Sequence, residues 1–170
     1  MVAGIVVIAL LAIGAIVAAL VATRSPGRAE PWARLGTEDV HSLAFVGSGT
    51  DRVLFGHHGG LLSSTDGGAT WASLPVAEDA MSTSAASDGS IVIAGHEVFR
   101  ASLDGGATWN AIDTDLPSLD IHGFARDPSE PARMWAYPAS GGLWESTDGG
   151  ATFVQVRADN VLMPTAVLGS

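Results

Sequence analysis

The 170-residue sequence contains no cysteine, no lysine and a single tyrosine, Tyr137. The missing thiols exclude a disulfide scaffold, a cysteine nucleophile, a zinc site built on cysteine and an acylated cysteine anchor. Without lysine, 8 arginines stand against 18 acidic residues, a net charge of −10. Beyond residue 28 the imbalance deepens to −12, because 6 arginines face the same 18 acids. Such a surface repels nucleic acid and anionic lipid headgroups and attracts cations. Also absent are Gly-x-Ser-x-Gly, a phosphate-cradling P-loop, a dinucleotide fingerprint and His-Glu-x-x-His. Nucleophile-elbow esterase, nucleotide-binding and zinc-protease chemistry therefore lack their signatures.

Charge is missing altogether from Val2 to Ala22, a run of 21 apolar or glycine residues. Roughly 20 such residues let a helix cross hydrocarbon with every backbone group satisfied, so residues 1–22 read as a transmembrane helix or an uncleaved export signal. Val17-Ala18-Ala19 has the small-residue spacing of a signal-peptidase site, which leaves secretion after cleavage as the alternative. The length favours retention as an anchor. Arg24 and Arg28 follow the run and no basic residue precedes it, which by the positive-inside rule alone would leave the rest of the chain in the cytoplasm. Residues 23–36 carry Ser25-Pro26-Gly27, Pro31 and scattered charge without apolar periodicity, the composition of a linker.

Self-comparison of residues 37–170 reveals a repeat. Ser64-Thr65-Asp66-Gly67-Gly68-Ala69-Thr70-Trp71, Ser102-Leu103-Asp104-Gly105-Gly106-Ala107-Thr108-Trp109 and Ser146-Thr147-Asp148-Gly149-Gly150-Ala151-Thr152-Phe153 align without gaps, their aspartates 38 and 44 residues apart. Asp-Gly-Gly is hairpin-turn chemistry, and the aromatic residues Trp71, Trp109 and Phe153 suit packing between neighbouring sheets. A second register recurs at the first-strand position: His41, Met81, His122 and Met163 follow one another at intervals of 40, 41 and 41. With strand signals such as Ile121 to Arg126, Met134 to Tyr137, Gly142 to Glu145 and Thr152 to Val156, each repeat supplies about four short strands, one blade of a β-propeller. The fold expected is all-β: a partial β-propeller of three four-stranded blades, plus the first strand of a fourth, after the N-terminal helix.

The repeated segment resembles the Asp-box, or bacterial neuraminidase repeat, written Ser-x-Asp-x-Gly-x-Thr-Trp. Residues 37–170 are similar to bacterial exported propellers of the sialidase-like, glycosylhydrolase-like group, with Gly56-His57-His58-Gly59-Gly60 and Leu119-Asp120-Ile121-His122-Gly123 as the more specific segments. The resemblance implies a propeller outside the cytoplasm, with the boxes on the blade periphery and ligands bound at the centre. It makes Asp66, Gly68, Trp71, Asp104, Gly106, Trp109, Asp148, Gly150 and Phe153 structural, since a carboxylate repeated in every blade serves its own turn.

Sialidases of that superfamily use three arginines to clamp a carboxylate, a tyrosine nucleophile assisted by a glutamate, and an acid/base aspartate. Here the one tyrosine falls within a second strand and no Phe/Tyr-Arg-Ile-Pro segment occurs, so a complete catalytic set is lacking and catalytic residues stay unassigned. Hydrolysis through two carboxylates would draw on Asp39, Glu97 or Asp120. The histidines are the other candidates. His41 and His122 share the first-strand position with Met81 and Met163, while His58 and His96 stand near second-strand ends. These six residues form a candidate copper or zinc donor set, with Asp39, Glu97 and Asp120 as orienting partners of His41, His96 and His122 in turn. Three function classes follow: a noncatalytic binding or scaffold propeller for a protein or glycan, a glycoside hydrolase relative, and a metal-handling extracytoplasmic domain. Open sheet edges would favour self-association.

Overall fold

The computed structural model describes residues 36, 37 and 39–158. The N-terminal apolar run, nearly all of the linker and the fourth first strand around Met163 lie outside them. Among the described residues no helix is long and apolar enough to cross a membrane.

Twelve strands form three antiparallel four-stranded sheets, each ordered as its strands follow in the chain. The first blade comprises β1 (Ser42–Phe45), β2 (Val53–His57), β3 (Gly60–Ser64) and β4 (Ala72–Ser73). The second comprises β5 (Ser82–Ala85), β6 (Ile91–Gly95), β7 (Val98–Ser102) and β8 (Asn110–Ala111). The third comprises β9 (Ile121–Arg126), β10 (Met134–Pro138), β11 (Leu143–Ser146) and β12 (Val154–Arg157). All of this matches the expected partial propeller. The leading strands β1, β5 and β9 neighbour one another and make the inner seam on which the blades are set.

The middle blade explains the stacking. Alternate side chains of a strand point to opposite faces, and β6 is buried at all five positions because both of its faces are covered. Ile91 and Ile93 turn toward the first blade with Val98, where they meet Leu54, Leu61, Val76 and Ala80. Val92, Ala94 and Phe99 turn toward the third blade and meet Ile121, Met134, Ala136 and Phe153. Each fully buried aliphatic side chain contributes about 1.5–3 kcal/mol, so these two layers supply most of what holds the blades together. Two of the three repeat aromatics land between sheets as the sequence implied: Trp109 packs into the layer between the first and second blades and Phe153 into the layer between the second and third, whereas Trp71 packs edge-on against Phe55 of its own blade. Two arginines cross between blades as well. Arg52 donates to Gly105 O at 2.8 Å, and Arg126 donates to Ser90 Oγ at 3.0 Å and to Ser90 O at 2.8 Å.

The three repeated turns join β3 to β4, β7 to β8 and β11 to β12, and four side-chain hydrogen bonds recur in each. In the second, Ser102 Oγ donates to Asp104 Oδ1 at 2.8 Å and accepts the Gly106 N–H at 2.7 Å, while Asp104 accepts from Thr108 N at 2.8 Å and Thr108 Oγ1 at 2.6 Å. Gly105 and Gly106 adopt φ of 73° and 98°, a region open to glycine without a Cβ penalty. The carboxylate is thus engaged on both oxygens within its own turn.

Candidate metal centre

Each blade brings its β1, β5 or β9 start and its β2–β3 or β6–β7 turn to the same end of the stack, opposite the repeated turns. At that end four of the five histidines have their rings in a row. His41 immediately precedes β1, His58 lies in the β2–β3 turn, His96 in the β6–β7 turn, and His122 is the second residue of β9. Their rings run as a chain: His41 stacks on His58 with centroids 4.3 Å apart, His58 meets His96 edge-on at 6.3 Å, and His96 meets His122 at 5.6 Å.

Carboxylates complete the cluster in two groups: His41, His58 and Asp79 offer ligand atoms within 4.8 Å of one another, and so do His96, Asp120 and His122. In the first, His41 Nε2 lies 3.7 Å and His58 Nδ1 3.8 Å from Asp79 Oδ1, and the two ring nitrogens touch each other. In the second, Asp120 Oδ1 lies 3.1 Å from His122 Nε2 and 3.6 Å from His96 Nε2. Donors about 2 Å from a tetrahedral ion stand roughly 3.3 Å apart, so the carboxylate-to-imidazole distances of both groups are near those of shared ligands, while the touching nitrogens of His41 and His58 have to part to admit an ion.

Asp79 is the pivot. Its side chain is 12 % exposed, its Oδ2 accepts the His96 Nδ1–H at 2.6 Å, and its Oδ1 is buried without a hydrogen-bond partner among the described residues. An ionised oxygen left unpaired and out of water is costly unless a cation meets it. The backbone holds Asp79 from both sides. Ala80 N donates to His57 O at 3.1 Å, Ser42 Oγ donates to Ala80 O at 3.1 Å, and a Cβ on Gly95 would stand 2.2 Å from Asp79 O. Only glycine at 95 lets the connection between the first two blades lie this close to β6.

Of the donor set expected from sequence, His41, His58, His96 and His122 come together; Met163 falls outside the described residues. Asp79, two residues before Met81, joins them. The expected orienting pairs change accordingly. Asp120 does bond His122, but His96 is bonded by Asp79 rather than Glu97, and Asp39 lies nearest His58, at 3.8 Å, rather than His41. Glu97 occupies the left-handed position of the β6–β7 turn, φ 58°, and is exposed. Asp79 left a signal in the sequence, since Asp39, Asp79 and Asp120 each stand two residues before His41, Met81 and His122. His57, next to the cluster, is held below the usual imidazole range by burial first and then by its neighbours His41 and His58. Its Nδ1 accepts the Gly59 N–H at 3.0 Å, so it serves the turn.

Comparison of the sequence with protein-family models and with curated proteins finds no match. Among solved structures the fold is similar to three GH74 proteins. A GH74 enzyme of Niastella koreensis gives a TM-score of 0.59 at 22 % identity, over 76 % of this chain and 24 % of that one. An ancestral GH74 enzyme gives 0.55 at 18 % identity, over 71 % and 18 %. The GH74 xyloglucanase of Xanthomonas campestris gives 0.52 at 13 % identity, over 69 % and 23 %. The matched part of this chain thus corresponds to less than a quarter of each neighbour's length. The likeness establishes the fold, a β-propeller-like arrangement of the kind those glycoside hydrolases have.

Proposed function

We propose that this protein is a metal-binding propeller, taking up a first-row transition ion such as zinc or copper(II) at the inner seam of its blades. The observation that carries the reading is the convergence of His41 Nε2 and His58 Nδ1 on the buried, unpaired Oδ1 of Asp79. Two imidazoles and a carboxylate suit zinc and copper(II) better than calcium or magnesium, which prefer oxygen alone. Three protein ligands also leave a fourth position open for a water or a partner's donor group. The overall charge of −10 favours the approach of cations. Residues 2–22 would tether the domain to the membrane with the propeller on the extracytoplasmic side, and a protein or glycan could dock there with the ion as part of the recognised surface. The outward-facing Leu43, Phe45, Val154 and Val156 support self-association.

The test is calorimetry of the full chain in detergent micelles with zinc, copper(II) and, for contrast, calcium. Micromolar or tighter uptake of zinc or copper(II), reduced in amount in His41→Ala and Asp79→Ala with the fold retained by circular dichroism, is the expected result. Equal binding by those variants, or none by the wild type, overturns the reading.

The alternative is a glycoside hydrolase relative, a reading to which the fold likeness to GH74 enzymes lends support. On this chain its acid and base would come from Asp39, Asp79 and Asp120, whose carboxylates gather at the seam beside the histidines. Release of reducing sugar from xyloglucan or aryl glycosides, lost in Asp79→Asn or Asp120→Asn and indifferent to chelator, would establish it in place of the metal reading.

A further inference from the structure

We infer that the cluster seats two ions side by side, coupled through the two oxygens of Asp79. The inference rests on the metal-binding reading and goes beyond it in number and in linkage. The first seat is His41, His58 and Asp79 Oδ1; the second is His96 Nε2, His122 Nε2 and Asp120 Oδ1.

Two observations make the second group a seat in its own right. A carboxylate can only accept, so the 2.6 Å contact between His96 Nδ1 and Asp79 Oδ2 fixes the proton on Nδ1. In the neutral ring the other nitrogen, Nε2, then carries the lone pair, and it is the one directed at Asp120, 3.6 Å away. A histidine whose far nitrogen donates to a carboxylate while its near nitrogen faces further donors has the tautomer and orientation that metal ligation requires. Asp120 is likewise held in place: its N–H donates to Ser118 Oγ at 3.1 Å and its C=O accepts from Ala139 N at 2.7 Å.

The same carboxylate therefore works for both ions. Oδ1 ligates the first, and Oδ2 anchors a ligand of the second. An ion on His96 Nε2 makes Nδ1–H a stronger donor, which ties Asp79 down and keeps Oδ1 directed at the first seat. Asp39, 3.8 Å from His58, adds a third negative charge beside the pair. Three carboxylates offset most of the charge of two divalent ions, so mutual repulsion does not forbid double occupancy.

Native mass spectrometry of the full chain released from micelles, titrated with zinc alone, reads the count directly. Two zinc ions per chain are expected in the wild type, one in His122→Ala and one in His41→Ala. Asp79→Ala should remove the first ion and weaken the second about 10- to 100-fold, the effect of losing an anchoring partner behind a ligand. His122→Gln, of similar bulk and lacking the imidazole, guards against misfolding and should also give one ion. One ion in the wild type, unchanged in His122→Ala and His122→Gln, overturns the two-seat inference and leaves the metal-binding reading intact. No ion in any form overturns both. Two ions in the wild type with the second untouched by Asp79→Ala would overturn the coupling.

Discussion

Gly95 on β6 and Asp79 in the preceding blade connection are in backbone contact so close that a methyl group has no room between them: a Cβ at 95 would lie 2.2 Å from the carbonyl oxygen of Asp79 and 3.3 Å from the nitrogen of Met81. Both obstacles are main chain, so relief has to come from moving the connection that carries Asp79. The position of the carboxylate at the centre of the histidine cluster is thereby set by a residue with no side chain.

Gly95→Ala should displace Asp79 and disturb the cluster without altering any of its donors. Overpacking of this kind costs about 1–3 kcal/mol, and zinc affinity should fall by at least about tenfold, the lower end of what a misplaced support does to a metal ligand. Gly49→Ala, where an added Cβ meets nothing within 4 Å, is the control. Urea denaturation and zinc titration of the two variants decide the matter, and equal behaviour would refute the positional role.

Ser102 is fully buried, accepts the Gly106 N–H and donates to Asp104. Ser102→Ala leaves the amide of Gly106 in the interior without its acceptor, which costs about 1–3 kcal/mol. The urea midpoint should drop accordingly, with zinc binding unchanged because the turn lies at the far end of the blade. A midpoint equal to wild type would mean that the turn is stabilised by something other than its serine.

Asp66, Asp104 and Asp148 each have a carboxyl held down at about 2 against an ordinary 3.8, first by the hydroxyl of Thr70, Thr108 or Thr152, then by the same threonine's amide, and then by the serine of the turn. The folded value lies below the unfolded one. Their stabilising contribution is therefore complete above roughly pH 4 and disappears as pH falls through about 2. Stability measured in urea should decline across this interval, and a triple Asp→Asn variant at these positions should decline less. An identical acid profile for the triple variant would contradict the assignment.

Glu97 sits at φ 58°, a conformation that costs a residue with a Cβ about 1–2 kcal/mol and glycine little. Glu97→Gly should be neutral to stabilising, by up to about 1 kcal/mol once the flexibility of unfolded glycine is allowed for. Zinc affinity should not change, because Asp79 and not Glu97 orients His96. A tenfold loss of affinity would return Glu97 to the site.

The architecture was legible in the sequence because the repeat announces it. Ser-x-Asp-Gly-Gly-Ala-Thr marks the turn between third and fourth strands, and the interval of about forty residues leaves one blade between turns. The site was legible in its histidines and not in its pivot. Met81 holds the place that His41 and His122 hold in their blades, which drew attention from Asp79 two residues earlier, although Asp39 and Asp120 stand in matching places. Pairing was less legible still. Glu97 adjoins His96 in the chain, yet the bond to His96 comes from Asp79, a residue 17 positions distant. Arg126 gave no signal at all, since its partners Ser84 and Ser90 belong to a neighbouring blade and become neighbours only when the sheets stack.

The repeated turns and the histidine cluster occupy opposite ends of the blades, and the sequence has no cysteine. A thiol introduced at Leu103, which is 82 % exposed within the second turn, would consequently be unique and remote from the cluster. Grafted to a chip or a dye through that single atom, every molecule would present its histidines outward in the same orientation, ready for ions or partners to be offered from solution.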